Sequence, residues 1–283
     1  MAHPDRTAIP TAMEPTWLHS TDAREAPVIE VFASIQGEGK YVGQPQVFLR
    51  LAGCPLRCRY CDTPGSWRIR EGAQVRIDAP NGVRRENAWA TPLEALQWIG
   101  AVEPGEPRPV SITGGEPLLW PDFILGLASM VGERPLHLET AGAHPEALLR
   151  VLPAIRHVSL DLKLPADMAA PEWAGGRPGQ GEVPTDAEQW RETRRRALHL
   201  VANHDACTKL VVHGDAPVEA WQELLQDQAD CAPRLPVYLQ PVTPMGGLSA
   251  APMETLVPLG EMARDLDLEV RVVPQMHRLL GVP

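Results

Sequence analysis

Three cysteines, Cys54, Cys58 and Cys61, crowd into the segment Gly53-Cys54-Pro55-Leu56-Arg57-Cys58-Arg59-Tyr60-Cys61-Asp62-Thr63. Thiolates are soft ligands, and a C-x3-C-x2-C spacing presents them to one metal centre. Electron-carrying cubane clusters fill every iron with a thiolate, so a local triplet leaves one iron of a 4Fe–4S cluster open to an outside ligand. A structural zinc site would need a further protein ligand, and the nearest histidines, His19 and His137, stand far away in sequence. The chain has five cysteines. An odd number clustered this way is a poor disulfide framework, and Cys207 and Cys231 read as incidental buried thiols.

Other chemistry-bearing residues close apolar runs: Thr113-Gly114-Gly115-Glu116-Pro117, Glu139-Thr140, Asp161 to Lys163, and Gln240-Pro241. The elements that must position them alternate. Strands are expected at Val28–Ile35, Gln46–Ala52, Pro109–Thr113, Leu136–Glu139, His157–Leu162, Thr208–Val212, Val237–Gln240 and Glu269–Val273. Helical periodicity marks Pro92–Val102, Pro121–Val131, Pro145–Ile155, Asp186–Asn203, Pro217–Ala229 and Met253–Leu266, and a capping residue followed by proline opens the first, Thr91-Pro92. Alternation of this kind builds βαβ units and a parallel sheet. The units are fewer than a complete barrel needs. The expected class is therefore α/β, a partial, open TIM-like barrel of parallel strands with outer helices. Chemistry in such folds gathers at the C-terminal ends of the strands, where these polar residues fall.

Residues 1–26 carry Pro, Thr, Asp and Arg without periodicity or the apolar stretch of a signal peptide, and read as a flexible N-terminal tail. Residues 27–283 read as a single domain with inserted loops around 64–87 and 165–185. The net charge of -10 argues against wrapping a phosphate backbone, which takes clustered Lys and Arg. The arginines of Arg191–Arg196 read as a solvated helix face among acidic neighbours. No apolar run is long enough to span a bilayer. The expectation is a cytoplasmic protein acting on a small molecule, with no nucleic-acid or membrane partner.

The cysteine triplet and the Gly-Gly-Glu-Pro turn, each following a strand, resemble the radical S-adenosylmethionine (SAM) superfamily. There the open iron chelates SAM, and one electron breaks its sulfonium bond to give a 5′-deoxyadenosyl radical. The glycines read as permitting close backbone approach to the methionine end of SAM. Ile35-Gln36-Gly37-Glu38-Gly39, Phe48-Leu49-Arg50, Cys61-Asp62-Thr63, Gln275-Met276-His277-Arg278 and Gly281-Val282-Pro283 narrow the resemblance. From about Val28 to Pro283, the chain is similar to the 7-carboxy-7-deazaguanine synthases.

That resemblance implies a lyase of deazapurine and queuosine biosynthesis. It would contract the ring of 6-carboxy-5,6,7,8-tetrahydropterin to 7-carboxy-7-deazaguanine, with loss of ammonia. It assigns Ile35, Gln36, Gly37, Glu38, Arg50, Thr113, His277 and the carboxylate of Pro283 to the substrate. Gly115, Glu116, Ser159, Lys163 and Gln240 go to SAM, and Mg²⁺ to Thr63. The Ser-Leu-Asp-Leu-Lys run leaves open which of Ser159, Asp161 and Lys163 faces SAM. The assignments make chemical sense: a pterin's guanidine-like edge suits Glu38, its carboxylate suits Arg50, and Mg²⁺ keeps few protein oxygens. A reducing donor such as flavodoxin or ferredoxin is implied, and a homodimer is possible within the family. The rival readings are a glycyl-radical-enzyme activase, which would need an open docking face for a protein substrate, and a non-catalytic metal-binding module. The latter leaves the polar strand ends without a purpose.

Overall fold

The computed structural model describes residues 24–103, 105–172, 183–244 and 247–283. The expected tail lies outside the described residues as far as residue 23, as does the 173–182 part of the second insertion.

Strand β1 (Ala26–Ile35) turns back into β2 (Pro45–Leu51), setting Phe32 opposite Phe48 and Glu30 opposite Arg50. The cysteine segment follows, with the short β3 (Arg57–Cys58), then β4 (Gln74–Ala79), β5 (Gly82–Asn87) and β6 (Trp89–Ala90). Strand–helix units come next: α1 (Pro92–Val102), β7 (Val110–Gly114), α2 (Pro121–Ala128), β8 (Leu136–Thr140), α3 (Pro145–Val151) and β9 (His157–Asp161). After the short β10 (Met168–Ala169) come α4 (Ala187–Val201), β11 (Ala206–Val212), α5 (Gln222–Cys231), β12 (Val237–Pro241), α6 (Met253–Asp265), β13 (Val270–Val272) and α7 (Met276–Leu280). At the start of α1, Thr91 Oγ1 accepts from the Glu94 N–H and Glu94 accepts from the Thr91 N–H, a reciprocal capping box.

In space the strands run β13-β12-β11-β9-β8-β7-β2-β1-β4-β5. Every pairing from β2 to β13 is parallel, whereas β1 lies antiparallel to β2. The two ends of this order do not pair, so the barrel stays open, as expected. Alternation along the strands explains both faces. Val110, Ile112, Leu136, Leu138, Val158, Leu160, Leu210 and Val212 join the apolar core against the helices. The intervening residues turn inward and are polar: Ser111 and His137 hydrogen-bond to Gln46, and Thr113 to Glu139.

Two expectations need correction. The 64–87 insertion is not all loop, because β4 and β5 form an antiparallel hairpin that extends the sheet beyond β1. Buried Val75, Ile77 and Ala79 alternate with more exposed neighbours, a pattern the surrounding Arg and Gly obscured. The arginines of α4 are not simply solvated either. Arg194 is buried and pairs with the buried Asp227 and with Glu223.

Candidate active site

Sheet register gathers the expected residues at one end. Arg50 lies beside Thr113 on the β2–β7 pair, Asp161 beside Lys209 on β9–β11, and Val211 beside Gln240 on β11–β12. A single cavity opens over these strand ends. Its wall includes all three cysteines, together with Ile35, Gln36, Gly37, Glu38, Arg50, Thr63, Thr113, Gly115, Lys163, Gln240, His277 and Pro283. Asp161 lines it as well, beside Lys163.

The cysteine loop presents its thiols to this cavity from the C-terminal end of β2. The Leu56 N–H lies on the Cys54 sulfur and the Thr63 N–H on the Cys61 sulfur, the kind of contact that stabilises a ligating thiolate. Burial pushes the thiols of Cys54, Cys58 and Cys61 up, and neighbouring Glu116 adds to the effect at Cys54. A bound cationic centre offsets that cost. Among the described residues no three His, Cys, Asp or Glu side chains close on a single ion. A cubane takes its thiolates at separate irons, so the cavity-facing triplet suits a cluster better than a lone zinc.

The glycine turn packs directly behind the cysteines. The Gly115 N–H donates to the Leu51 carbonyl at 3.0 Å, and the Glu116 N–H to the Gly53 carbonyl at 2.8 Å. A Cβ on Gly114 would overlap the Leu51 backbone. One on Gly115 would overlap the Gly53 carbonyl and stand 2.8 Å from Cys54 Cβ. The glycines are therefore required by protein backbone, a demand separate from the close approach of SAM expected of them. Glu116 is likewise not on the cavity wall. It is 1% exposed, and its carboxylate accepts from the Leu118 and Ala141 N–H groups and from Thr140 Oγ1. Burial outweighs these bonds and raises its pKa. Its work is to lock the turn to β8.

Ser159 also lies off the main cavity. It sits deeper than Asp161 on β9, its hydroxyl 3.7 Å from Cys207 Sγ and roofed by Gly39, away from the main cavity. A short side chain one layer down cannot reach past that loop.

On the substrate side, Gln36 Nε2 donates to Glu139 at 2.8 Å and to Ser111 at 3.3 Å, while Thr113 Oγ1 donates to the other Glu139 oxygen at 2.9 Å. Glu38 is held by Lys209 Nζ at 2.6 Å and by Gln275 Nε2 at 2.9 Å. Lys209 also lies 3.1 Å from Asp161, whose other oxygen accepts from Lys163 at 2.8 Å. Burial alone would lower both lysines, yet the carboxylates around them raise their pKa well above the ordinary value. Burial likewise works against the charge on Asp161, and the two lysines outweigh it. Asp161, Lys163 and Lys209 therefore stay charged although buried. Arg50 reaches Glu30 across the strand pair at 2.7 Å, which fixes its guanidinium at the rim. Thr63 Oγ1 donates to Asp62 at 2.9 Å, and Asp62 also lies near Gln275 and Arg278. At Pro283 the carbonyl accepts from Ser34 Oγ at 2.8 Å.

Sequence reasoning missed Lys209, and it gave no specific role to Glu139, which it set at a strand end on this face, or to Gln275. Lys209 had one signal, a cation on the inward period of an otherwise apolar strand.

Comparison with known proteins agrees with this geometry. The radical SAM superfamily model matches residues 49–178. QueE from Escherichia coli superposes with a TM-score of 0.53 at 23% identity, covering 88% of this chain and 93% of that one. A radical SAM methyltransferase from Sphaerobacter thermophilus superposes at 0.54 with 12% identity, over 81% of this chain and 66% of its own. Both likenesses establish the fold. The 7-carboxy-7-deazaguanine synthase of Geobacter sulfurreducens is 32% identical, over 89% of this chain and 96% of its own length. That of Methanothermobacter thermautotrophicus is 34% identical, over 91% and 98%. Identity at this level along nearly the whole of a relative places the chain in the 7-carboxy-7-deazaguanine synthase family of the radical SAM superfamily.

Proposed function

We propose that this protein converts 6-carboxy-5,6,7,8-tetrahydropterin to 7-carboxy-7-deazaguanine and ammonia. The observation that carries the reading is the shared cavity: the cysteine triplet stands across one space from Gln36, Glu38, Arg50, Thr113 and His277. Substrate and product differ only by ammonia, so a hydrogen atom taken from the substrate must be returned to it. When bound, the 4Fe–4S cluster and SAM supply that one-electron chemistry, and Cys54, Cys58 and Cys61 are the residues that hold the cluster.

The chain's own part is to bind, orient and exclude water. Glu38, held in place by Lys209, accepts from the N–H edge of the pterin. Arg50 pairs with the substrate carboxylate. Glu139 fixes Gln36 and Thr113 at the bicyclic ring, with Ile35, Gly37, His277 and Pro283 completing the wall. Gly115, Lys163 and Gln240 border the SAM end. Thr63, with Asp62 beside it, offers the hard oxygen atoms that Mg²⁺ prefers, the substrate carboxylate supplying the rest. A one-electron donor of the flavodoxin or ferredoxin class and a homodimer belong to the same reading. Among the described residues no helix is long and apolar enough to cross a membrane, in keeping with a small-molecule enzyme of the cytoplasm.

The test is an anaerobic assay of iron-reconstituted protein with SAM, reductant, Mg²⁺ and the pterin, read by mass spectrometry. Formation of 7-carboxy-7-deazaguanine is expected, with omission of Mg²⁺ lowering the rate. SAM cleavage without pterin conversion would overturn the substrate assignment, and a fully loaded cluster that cleaves no SAM would overturn the reaction class.

A further inference from the structure

Segment 164–172, to which the proposed reaction gives no role, lies along the cysteine loop. The Arg59 N–H donates to the Asp167 carbonyl at 2.9 Å, and the Glu172 N–H to the Pro55 carbonyl at 3.0 Å. Between these bonds β10 pairs antiparallel with β3, placing Met168 opposite Cys58 and Ala169 opposite Arg57. Arg57 closes the loop from within, donating to the carbonyls of Cys54 at 2.7 Å and Leu56 at 2.8 Å and reaching Glu172 at 3.2 Å. Met168 also packs with Cys54, Leu56 and Trp190. The backbone around Cys58 thus takes its shape from this segment.

The segment is itself fastened at one buried point. Asp167 and His213 are each 1% exposed, and Asp167 Oδ2 stands 2.9 Å from His213 Nε2. The Asp215 N–H donates to His213 Nδ1 at 3.2 Å, which leaves the proton on Nε2 to donate to the carboxylate. His213 directly follows β11 and stacks edge-on against Trp221 at 5.5 Å, so it is held by a rigid part of the barrel. The other Asp167 oxygen lies 3.6 Å from Arg59 Nη1.

We infer that Asp167 and His213 are positioning residues for the iron–sulfur loop, holding 164–172 against it so that the thiols are preset before metal arrives. The inference rests on the reading of Cys54, Cys58 and Cys61 as cluster ligands. Without the strap, ordering the loop would draw on the free energy of metal binding, because backbone entropy must be lost when the cluster forms.

Two readouts test it, one on cluster-free protein. Deuterium exchange of the 54–61 amides in the apo-protein should quicken in Asp167→Ala and His213→Ala. Loss of cluster absorbance to a chelator should quicken about 10- to 100-fold, the usual cost of removing a partner behind a metal ligand. Asp167→Asn should restore most of both, since its amide oxygen still accepts from His213 Nε2. If the alanine variants fail to fold, Glu172→Ala at the half-exposed end of the strap should move both readouts the same way by a smaller factor. Thr208→Val removes a buried hydrogen bond to Gln228 on the outer face of β11 and should leave both at wild-type values. Wild-type exchange and cluster lifetime in the Asp167 and Glu172 variants would overturn the inference, as would an equal effect from Thr208→Val. Wild-type protein that takes up no cluster would instead sink the proposed function, while the apo exchange would still decide the strap.

Discussion

Lys209 Nζ sits 2.6 Å from Glu38 Oε2, joining a cation in the middle of strand β11 to a carboxylate on the loop after β1. Asp161 lies 3.1 Å away on the same nitrogen. Lys209→Met keeps the apolar stem, leaves Glu38 without its cation and leaves Asp161 with Lys163 alone. Breaking a buried pair in this way costs about 3–5 kcal/mol, so the denaturant midpoint should fall clearly. Because Glu38 loses its fixed geometry, KM for the pterin should rise more than the rate of substrate-free SAM cleavage falls. An equal loss of both activities would place Lys209 on the SAM side of the cavity instead.

Gly37 and His277 meet from opposite ends of the chain. The Met276 N–H donates to the Gly37 carbonyl at 3.0 Å, and a Cβ on Gly37 would overlap the His277 ring. Gly37→Ala must therefore push His277 out of the cavity while leaving the cysteine loop alone. Displacing a substrate-positioning group by about 1 Å can cost on the order of 100-fold in turnover. Steady-state kinetics should show that loss for the pterin, with cluster content and its electron paramagnetic resonance signal unchanged. A variant with wild-type turnover would show that His277 has no part in binding substrate.

The fold was legible where a period was clean. All eight expected strands are present because their apolar positions alternate, and proline after a capping residue marked the start of α1. The hairpin of β4 and β5 escaped because charged residues interrupt it, although Val75, Ile77 and Ala79 keep the period and Pro80-Asn81 forms its two-residue turn. Residues tied to local motifs, the cysteines and Gln36 to Glu38 among them, line one cavity. Lys209 was missed, since its partner Glu38 lies 171 positions away and its one local signal, a cation in an apolar strand, does not say what it pairs with. Ser159 and Glu116 lie off the main cavity wall, because depth along a strand, and which way a turn packs, are set by neighbours in space.

Gly114 has φ +139° and would press a Cβ into the Leu51 backbone. Neither the angle nor the contact can relax without separating β7 from β2. Gly114→Ala should cost about 3 kcal/mol or more, combining overpacking with backbone strain. Thermal unfolding of the apo-protein checks this, and iron content should fall in parallel because Gly53 and Cys54 rest on the same turn. Gly72→Ala is the matched control. It too has positive φ but open space around it, so it should lose stability from strain alone and keep its iron. Equal iron loss in both variants would separate the glycine turn from the cluster loop.

Beneath the cavity, His137 and His157 stack against Tyr41 with ring centroids 4.7 Å away in each case. Burial pushes both histidines from 6.5 down to about 4, and the neighbouring Asp205 opposes this at each without reversing it. Their folded-state pKa values lie below the unfolded ones, so the unfolded chain binds protons first as pH falls. The stability they contribute is complete above about pH 6.5 and is lost progressively toward pH 4, at most about 3 kcal/mol for each ring. Urea denaturation of the apo-protein across that window should show stability falling with acidity. In His157→Gln, which cannot titrate, the slope should be shallower by up to one proton, about 1.4 kcal/mol per pH unit. If the variant kept the wild-type slope, protonation of His157 would have to be equally easy in both states, and the layer beneath the site would be open to water rather than dry.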